Sequence, residues 1–317
     1  MRFSNTGFKT INASEVLEEE QFADFNMGQY YPVNIGETFN SKYQVVGKLG
    51  FGVISTVWLA RDLKASTCVP EGGNSSHPGY GHVRKALGIF TIPRAGGDHY
   101  CLVQKPTRES FRDLLYRNPI LRFTEELLKA GLKQVFLVLD YLHTECQLVH
   151  TDIKGDNILQ EFEDISILDA FTKPKWTTLL HGNLSATHRS LPQITTKAHQ
   201  IWDLFEGRHM FYGNDPVGKG YSTRAHLAEV IGMLGPPPMD LLGRGIRSHE
   251  FFAEDGAWKA EVDVPQDTSL ERSDEFLEGK NKEIVLVFMR GMLQWRLEDR
   301  KTAKELLEDP LLNDQID

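Results

Sequence analysis

Cysteine is scarce in this chain. Cys68, Cys101 and Cys146 are its only three, they lie far apart, and no C-x-x-C occurs. A disulfide framework and a zinc site are both excluded by that spacing, and a reducing compartment fits. Long hydrophobic runs are missing too. The most apolar stretch, Val135 to Leu142, is interrupted by Asp140 and is too short to span a bilayer, and Met1-Arg2-Phe3-Ser4-Asn5-Thr6 has no apolar signal core. Basic charge is in deficit, 35 residues against 44 acidic ones, for a net charge of -9. That balance argues against broad binding to nucleic-acid phosphates or to anionic membrane. Together these absences describe an intracellular protein. The remainder is ordinary for a folded chain: 40% hydrophobic, 25% charged, and at 317 residues long enough for two average domains or one large bilobal unit.

Residues 1–40 read as an irregular arm with an acidic cluster at Glu18, Glu19 and Glu20. From Tyr43, "YQVVGKLGFGVISTVWLA" places β-branched residues on both sides of a glycine pair, which predicts strand, tight loop, strand. "LGIFTI" and "YCLV" predict two further strands separated by the turn-forming "RAGGD". Beyond Pro106 the period becomes helical. Ser110-x-x-Asp113 is a capping box ahead of "FRDLLY", and Leu128, Leu132, Val135, Phe136, Leu139 and Leu142 form one apolar stripe on a helix ending near His143. Ala225 to Leu234 and residues 282–295 predict two more helices, and Thr302-x-x-Glu305 caps a last one ending at Asp309-Pro310. A β-rich first part therefore precedes a helical second part.

Two motifs carry chemistry. In Gly50-Phe51-Gly52-Val53-Ile54-Ser55-Thr56-Val57 the glycines are followed by β-branched residues, so the loop joins two strands. It does not open a helix, as a dinucleotide fingerprint would, and no G-K-[ST] follows it. The second motif, "LVHTDIKGDNIL", supplies His150, Asp152, Lys154 and Asn157. It matches H-R-D-x-x-x-x-N, in which the Asp accepts a hydroxyl proton and the Asn oxygen reaches a magnesium ion.

With these residues in place the chain resembles the eukaryotic protein kinases, and within them the SR-protein kinase family, especially its fungal members. The carrying stretches are "YYPVNIGETFNSKYQVVGKLGFGVISTVWLARDL", "LVHTDIKGDNIL" with Thr151 where most kinases have Arg, "LGPPPMDLLGRGIRSHEFF" and "MLQWRLEDRKTAKELLEDP". The resemblance implies an α+β, bilobal kinase-like fold, with an arm at 1–40, an N-lobe at 41–105 and a C-lobe at 106–317. It implies ATP and magnesium, and transfer of the ATP γ-phosphate to serines of basic Arg-Ser-rich splicing-type proteins. The chain would act as a monomer in cytoplasm and nucleus, without direct nucleic-acid or membrane contact. By position, Asp152 is the base and Lys154 the charge stabiliser; Gly50, Gly52, Ser55, Val57, Gln104 and Lys105 serve the nucleotide; Asn157 is the magnesium ligand, with Asp169 a weaker candidate.

Two departures from the family pattern leave both lobes incomplete. After Arg61, "DLKASTCVPEGGNSSHPGYGHVRKAL" is too short and turn-rich for a third strand with its nucleotide-binding lysine plus a full helix, and Lys64 reads as a solvated residue. No D-F-G and no A-P-E occur, and Asp169-Ala170-Phe171 reads as the end of a structural strand. Residues 172–200 contain no Asp or Glu, where the chain average of 44 in 317 predicts about four. His181, His188 and His199 lack metal-ligand spacing. The activation segment is replaced, with the composition of altered splicing or a shifted frame. The competing expectation is an impaired pseudokinase, or truncated product, that works only by binding proteins.

Overall fold

The computed structural model describes residues 16, 18–22, 28–52, 54–64, 73–94, 96–150, 152–162, 197–206, 208–218, 220–275 and 278–313. Within them the architecture is mixed, with small antiparallel sheets and many helices. The chain divides into two compact units. Residues 1–72, 84–108 and 161–190 form the first; 73–83, 109–160 and 191–317 form the second.

In the first unit β1 (Thr38–Phe39), β2 (Tyr43–Phe51) and β3 (Thr56–Asp62) make one antiparallel sheet in the order β1-β2-β3. β4 (Ala86–Ile92) and β5 (His99–Gln104) make a separate two-stranded sheet. The alternation of side chains along β4 sends Phe90 to one face, where it stacks on Tyr43 at 5.9 Å and Phe39 at 6.4 Å. The other face carries Ile89, Leu102 and Tyr100, the last 82% exposed. Among the described residues no strand joins β3 to this hairpin, and residues 65–72 between them lie outside the described residues. Lys64 sits in an exposed turn, its amide donating to Asp62 Oδ1 at 2.8 Å.

The second unit holds the larger core. Short β6 (Thr107–Ser110) leads into α1 (Phe111–Arg117), capped by the expected box: Asp113 N donates to Ser110 Oγ and the Asp113 carboxylate accepts from Ser110 N. α2 (Glu125–Thr144) follows, and Leu128, Leu132, Phe136 and Leu139 of its stripe are buried. β7 (Leu159–Glu161) closes the loop after α2. Further along come α3 (Lys197–Glu206), α4 (Thr223–Leu234), α5 (Met239–Arg244), α6 (Ser248–Phe251), α7 (Leu270–Ser273), α8 (Gly279–Met292), α9 (Ala303–Leu307) and α10 (Pro310–Asn313). α3 starts at Lys197, so helix extends into the acid-free segment; the rest of 172–200 lies outside the described residues. Trp202, Phe136 and Phe288 are almost fully buried, and Phe136 meets Phe288 edge-on at 5.8 Å. Each such side chain contributes roughly 1.5–3 kcal/mol by leaving water.

The expected final helix ends at Leu307, but a second begins at Pro310. Asp309 makes the junction: its side chain is 2% exposed, meets Lys301 Nζ at 2.7 Å and accepts from the Leu311 amide at 3.1 Å. Residues 73–83, expected only as loop, instead dock on α2. His77 Nδ1 accepts from Gly79 N, so its Nε2 carries the hydrogen facing Asp140 Oδ2 at 3.2 Å, and Tyr80 packs edge-on to Tyr141. A Cβ at Gly79 would run into the Leu137 carbonyl.

One buried polar group stands out. Glu206, at the end of α3, is 6% exposed beside Asp274, whose own side chain is fully buried with Lys282 Nζ at 2.9 Å. Burial first, and then the hydrogen bond and charge of Asp274, push the Glu206 carboxyl up to about 7; the Glu275 backbone and Arg208 oppose the shift. No helix among the described residues is long and apolar enough to cross a membrane.

Candidate active site

The glycine loop lies within the first unit. Gly50 pairs with Val57 and Phe51 with Thr56, and the turn closes through Gly52 N donating to the Ser55 carbonyl at 2.7 Å. Gly50, Gly52, Ser55 and Val57 are thus gathered on one hairpin. No atom beyond the chain neighbours comes within 4 Å of a Cβ built at Gly50, and Val57 is 50% exposed. Gln104 ends β5, opposite Ala86. The Lys105 carbonyl accepts from Arg84 Nη2 at 3.1 Å, so one backbone acceptor expected to meet a base edge is engaged inside the protein.

Described residues of the N-terminal arm lie against this hairpin. The acidic turn Glu18–Gln21 puts Glu18 and Glu19 on Lys48 of β2, the Glu19 Oε1 contact measuring 2.6 Å. Phe22 packs edge-on to Phe51 at 5.9 Å, and Tyr30 Oη donates to the Gly52 carbonyl at 2.9 Å. The Tyr30 hydroxyl is pushed above its ordinary value, chiefly by burial and then by Glu19.

The catalytic-loop residues lie within the second unit. Ile153 is buried in the core with Leu132 and Leu204, which anchors the loop between its polar neighbours. Asp152 N donates to His150 Nδ1 at 3.2 Å. Lys154 then enters a 3-10 turn, Gly155–Asn157, closed by Asn157 N donating to the Lys154 carbonyl at 2.9 Å. Asn157 Nδ2 donates to the Asp152 carbonyl at 2.8 Å and to Asp152 Oδ2 at 2.9 Å, while Lys154 Nζ sits 3.2 Å from the same Oδ2. Asp152, Lys154 and Asn157 are therefore brought together as their spacing predicts. Two donors meet one carboxylate oxygen and fix the orientation of Asp152.

With the Asn157 amide nitrogen bonded to Asp152, the amide oxygen is the atom of this side chain that could meet a metal ion. That single neutral oxygen suits a magnesium ion whose other ligands are phosphate oxygens and water. Among the described residues no group of three or more His, Cys, Asp or Glu gathers to hold a metal. Asp169 and Thr151 lie outside the described residues.

Sequence reasoning missed what holds the turn from outside. Arg112 Nη1 reaches Asp156 Oδ2 at 3.0 Å and Oδ1 at 3.2 Å, and Phe111 N donates to the Ile158 carbonyl at 2.9 Å. Burial draws the Arg112 guanidinium down, and the Asp156 charge and hydrogen bond more than offset it, leaving its pKa raised. A Cβ at Gly155 would lie 3.3 Å from the Arg112 amide nitrogen and 3.4 Å from its Cβ, so the turn and the start of α1 touch. Close by, Asp203 Oδ2 binds His209 Nδ1 at 2.6 Å and holds that imidazole above its ordinary value, while Arg112 pulls it down. No local pattern marks Arg112 or Asp156 as partners; only the "GDN" turn could have directed attention there.

No family model matches the chain. It is 32% identical to a serine/threonine protein kinase of Aspergillus fumigatus, covering 97% of this chain and 93% of the relative. It is 26% identical to the serine/threonine-protein kinase SRPK of Physarum polycephalum, covering 94% and 92%. A shorter match, 32% identical over 46% of this chain and 30% of the relative, is to SRSF protein kinase 3 of Mus musculus. The first alignment runs over 375 positions against a chain of 317 residues, so the Aspergillus protein carries internal segments this chain lacks.

Proposed function

Because the chain belongs to the serine/threonine protein kinases, among relatives that include SR-protein kinases, we propose that it moves the γ-phosphoryl group of ATP to serines of basic, Arg-Ser-rich proteins. The observation that carries this reading is the geometry of Asp152, Lys154 and Asn157, with one carboxylate oxygen held by both neighbours. Asp152 takes the proton of the attacking hydroxyl as the serine O–P bond forms and the bond from the γ-phosphorus to the bridging oxygen breaks, releasing ADP. Lys154 faces the charge on the transferring group. Gly50, Gly52 and Ser55 line the phosphates, and Val57, Gln104 and Lys105 meet the base. Asn157 would hold magnesium, which when bound would supply charge neutralisation on the phosphates. Arm, N-lobe and C-lobe correspond to residues 1–40, 41–105 and 106–317.

The net charge of -9 favours basic substrates. On this reading the protein works as a monomer in cytoplasm and nucleus, without nucleic acid or membrane as a direct partner. A lysine-bearing third strand is missing among the described residues, so turnover is expected to be slow. Incubating the purified chain with Mg-ATP and an Arg-Ser repeat peptide should give phosphopeptide that disappears in Asp152→Asn. Equal signal from both proteins, or no signal together with no thermal shift on adding Mg-ATP, would overturn the assignment.

A further inference from the structure

Resting on the kinase reading, we propose that Arg112 is a positioning residue of the catalytic loop, acting through Asp156 to hold the Gly155–Asn157 turn and so the hydrogen bonds from Asn157 to Asp152. The first residues of α1 grip this turn in three ways. The Arg112 guanidinium bridges both Asp156 oxygens, the Phe111 amide caps the Ile158 carbonyl, and the Arg112 backbone lies too close to Gly155 to leave easy room for a side chain there. α1 is itself fixed by the Ser110–Asp113 box and by Phe111, which is 8% exposed against the core. The grip therefore transmits the rigidity of the core to a three-residue turn that has no side-chain cap of its own.

The ion pair is the adjustable part of this grip. Asp156 immediately precedes Asn157, so losing the ion pair frees the stretch of backbone from which the Asn157 side chain projects. Asn157 then loses aim at Asp152 Oδ2, and the base loses one of its two donors. Arg112 touches no reacting atom in this scheme; its effect passes through the turn. The Asp203–His209 pair adds a titratable neighbour whose pKa Asp203 raises while burial and Arg112 lower it.

Amide hydrogen exchange on the full chain tests this without requiring turnover. In Arg112→Ala, exchange at residues 154–158 should speed up about tenfold while α1 and α2 keep their protection. Asp156→Asn should reproduce the effect, Arg112→Lys should soften it, and exchanging the partners (Arg112→Asp with Asp156→Arg) should restore protection. Where phosphoryl transfer is measurable, kcat should fall with KM for ATP unchanged. Unaltered exchange at 154–158 in both single variants, or loss spread evenly over α1 and α2, would overturn the proposal. Because the exchange readout stands apart from catalysis, a wild-type chain with neither phosphoryl transfer nor a thermal shift on Mg-ATP would refute the proposed activity and leave this result separately legible.

Discussion

Replacing Glu206 by glutamine should abolish the pH dependence that this one buried carboxyl imposes on stability. In the folded chain Glu206 holds its proton up to about pH 7, against a reference value of 4.5, because burial and the Asp274 carboxylate both disfavour the anion. The folded state thus binds more protons than the unfolded state between those two values. Its contribution is complete below pH 4.5 and is lost as pH rises toward 7. At about 1.4 kcal/mol per pH unit the span from 4.5 to about 7 amounts to about 3 kcal/mol, or roughly three hundredfold in the folding equilibrium. Glutamine keeps a donor for Asp274 and stays neutral at every pH. Urea unfolding of wild type and Glu206→Gln at intervals from pH 5 to pH 8 isolates the effect, since other titrations cancel in the difference. The variant should gain about 3 kcal/mol on wild type across that range. A difference that stays constant with pH, or that moves in favour of wild type as pH rises, would show that Glu206 is an ordinary carboxylate and that the buried pair is misread.

Two further outcomes follow from packing. Gly79→Ala should release residues 73–83 from α2, because the added methyl meets the Leu137 carbonyl; limited proteolysis should then cut near His77, and an unchanged digest would contradict the docking. Asp309→Ala should cost about 3 kcal/mol in chemical denaturation, since it strips Lys301 of its buried partner and the Leu311 amide of its cap, whereas a loss under 1 kcal/mol would place that carboxylate in water.

What could be read from the sequence was the local part. Ser110 with Asp113 and Thr302 with Glu305 formed the expected capping boxes because a cap needs only residues three apart. The α2 stripe followed from helical period, and Asp152, Lys154 and Asn157 from a loop whose geometry is set within six residues. Arg112 with Asp156, Glu206 with Asp274, and Glu19 with Lys48 are joined across distances in sequence that carry no period. Nothing in "HPGYGHV" announces contact with α2, because that contact depends on a glycine fitting a carbonyl and a histidine finding Asp140. The second helix at Pro310 was missed because Asp309-Pro310 reads equally as an end and as a cap followed by proline at a first helical position.

The contact of the arm with the glycine hairpin changes how this protein should be handled. Lys48, Phe51 and Gly52 are held by Glu18, Glu19, Phe22 and Tyr30, residues that a trimming based on the strand pattern alone would discard. A boundary set downstream of Tyr30 is thus an alteration of the hairpin itself, and preparations with and without these residues are not interchangeable when the hairpin is compared.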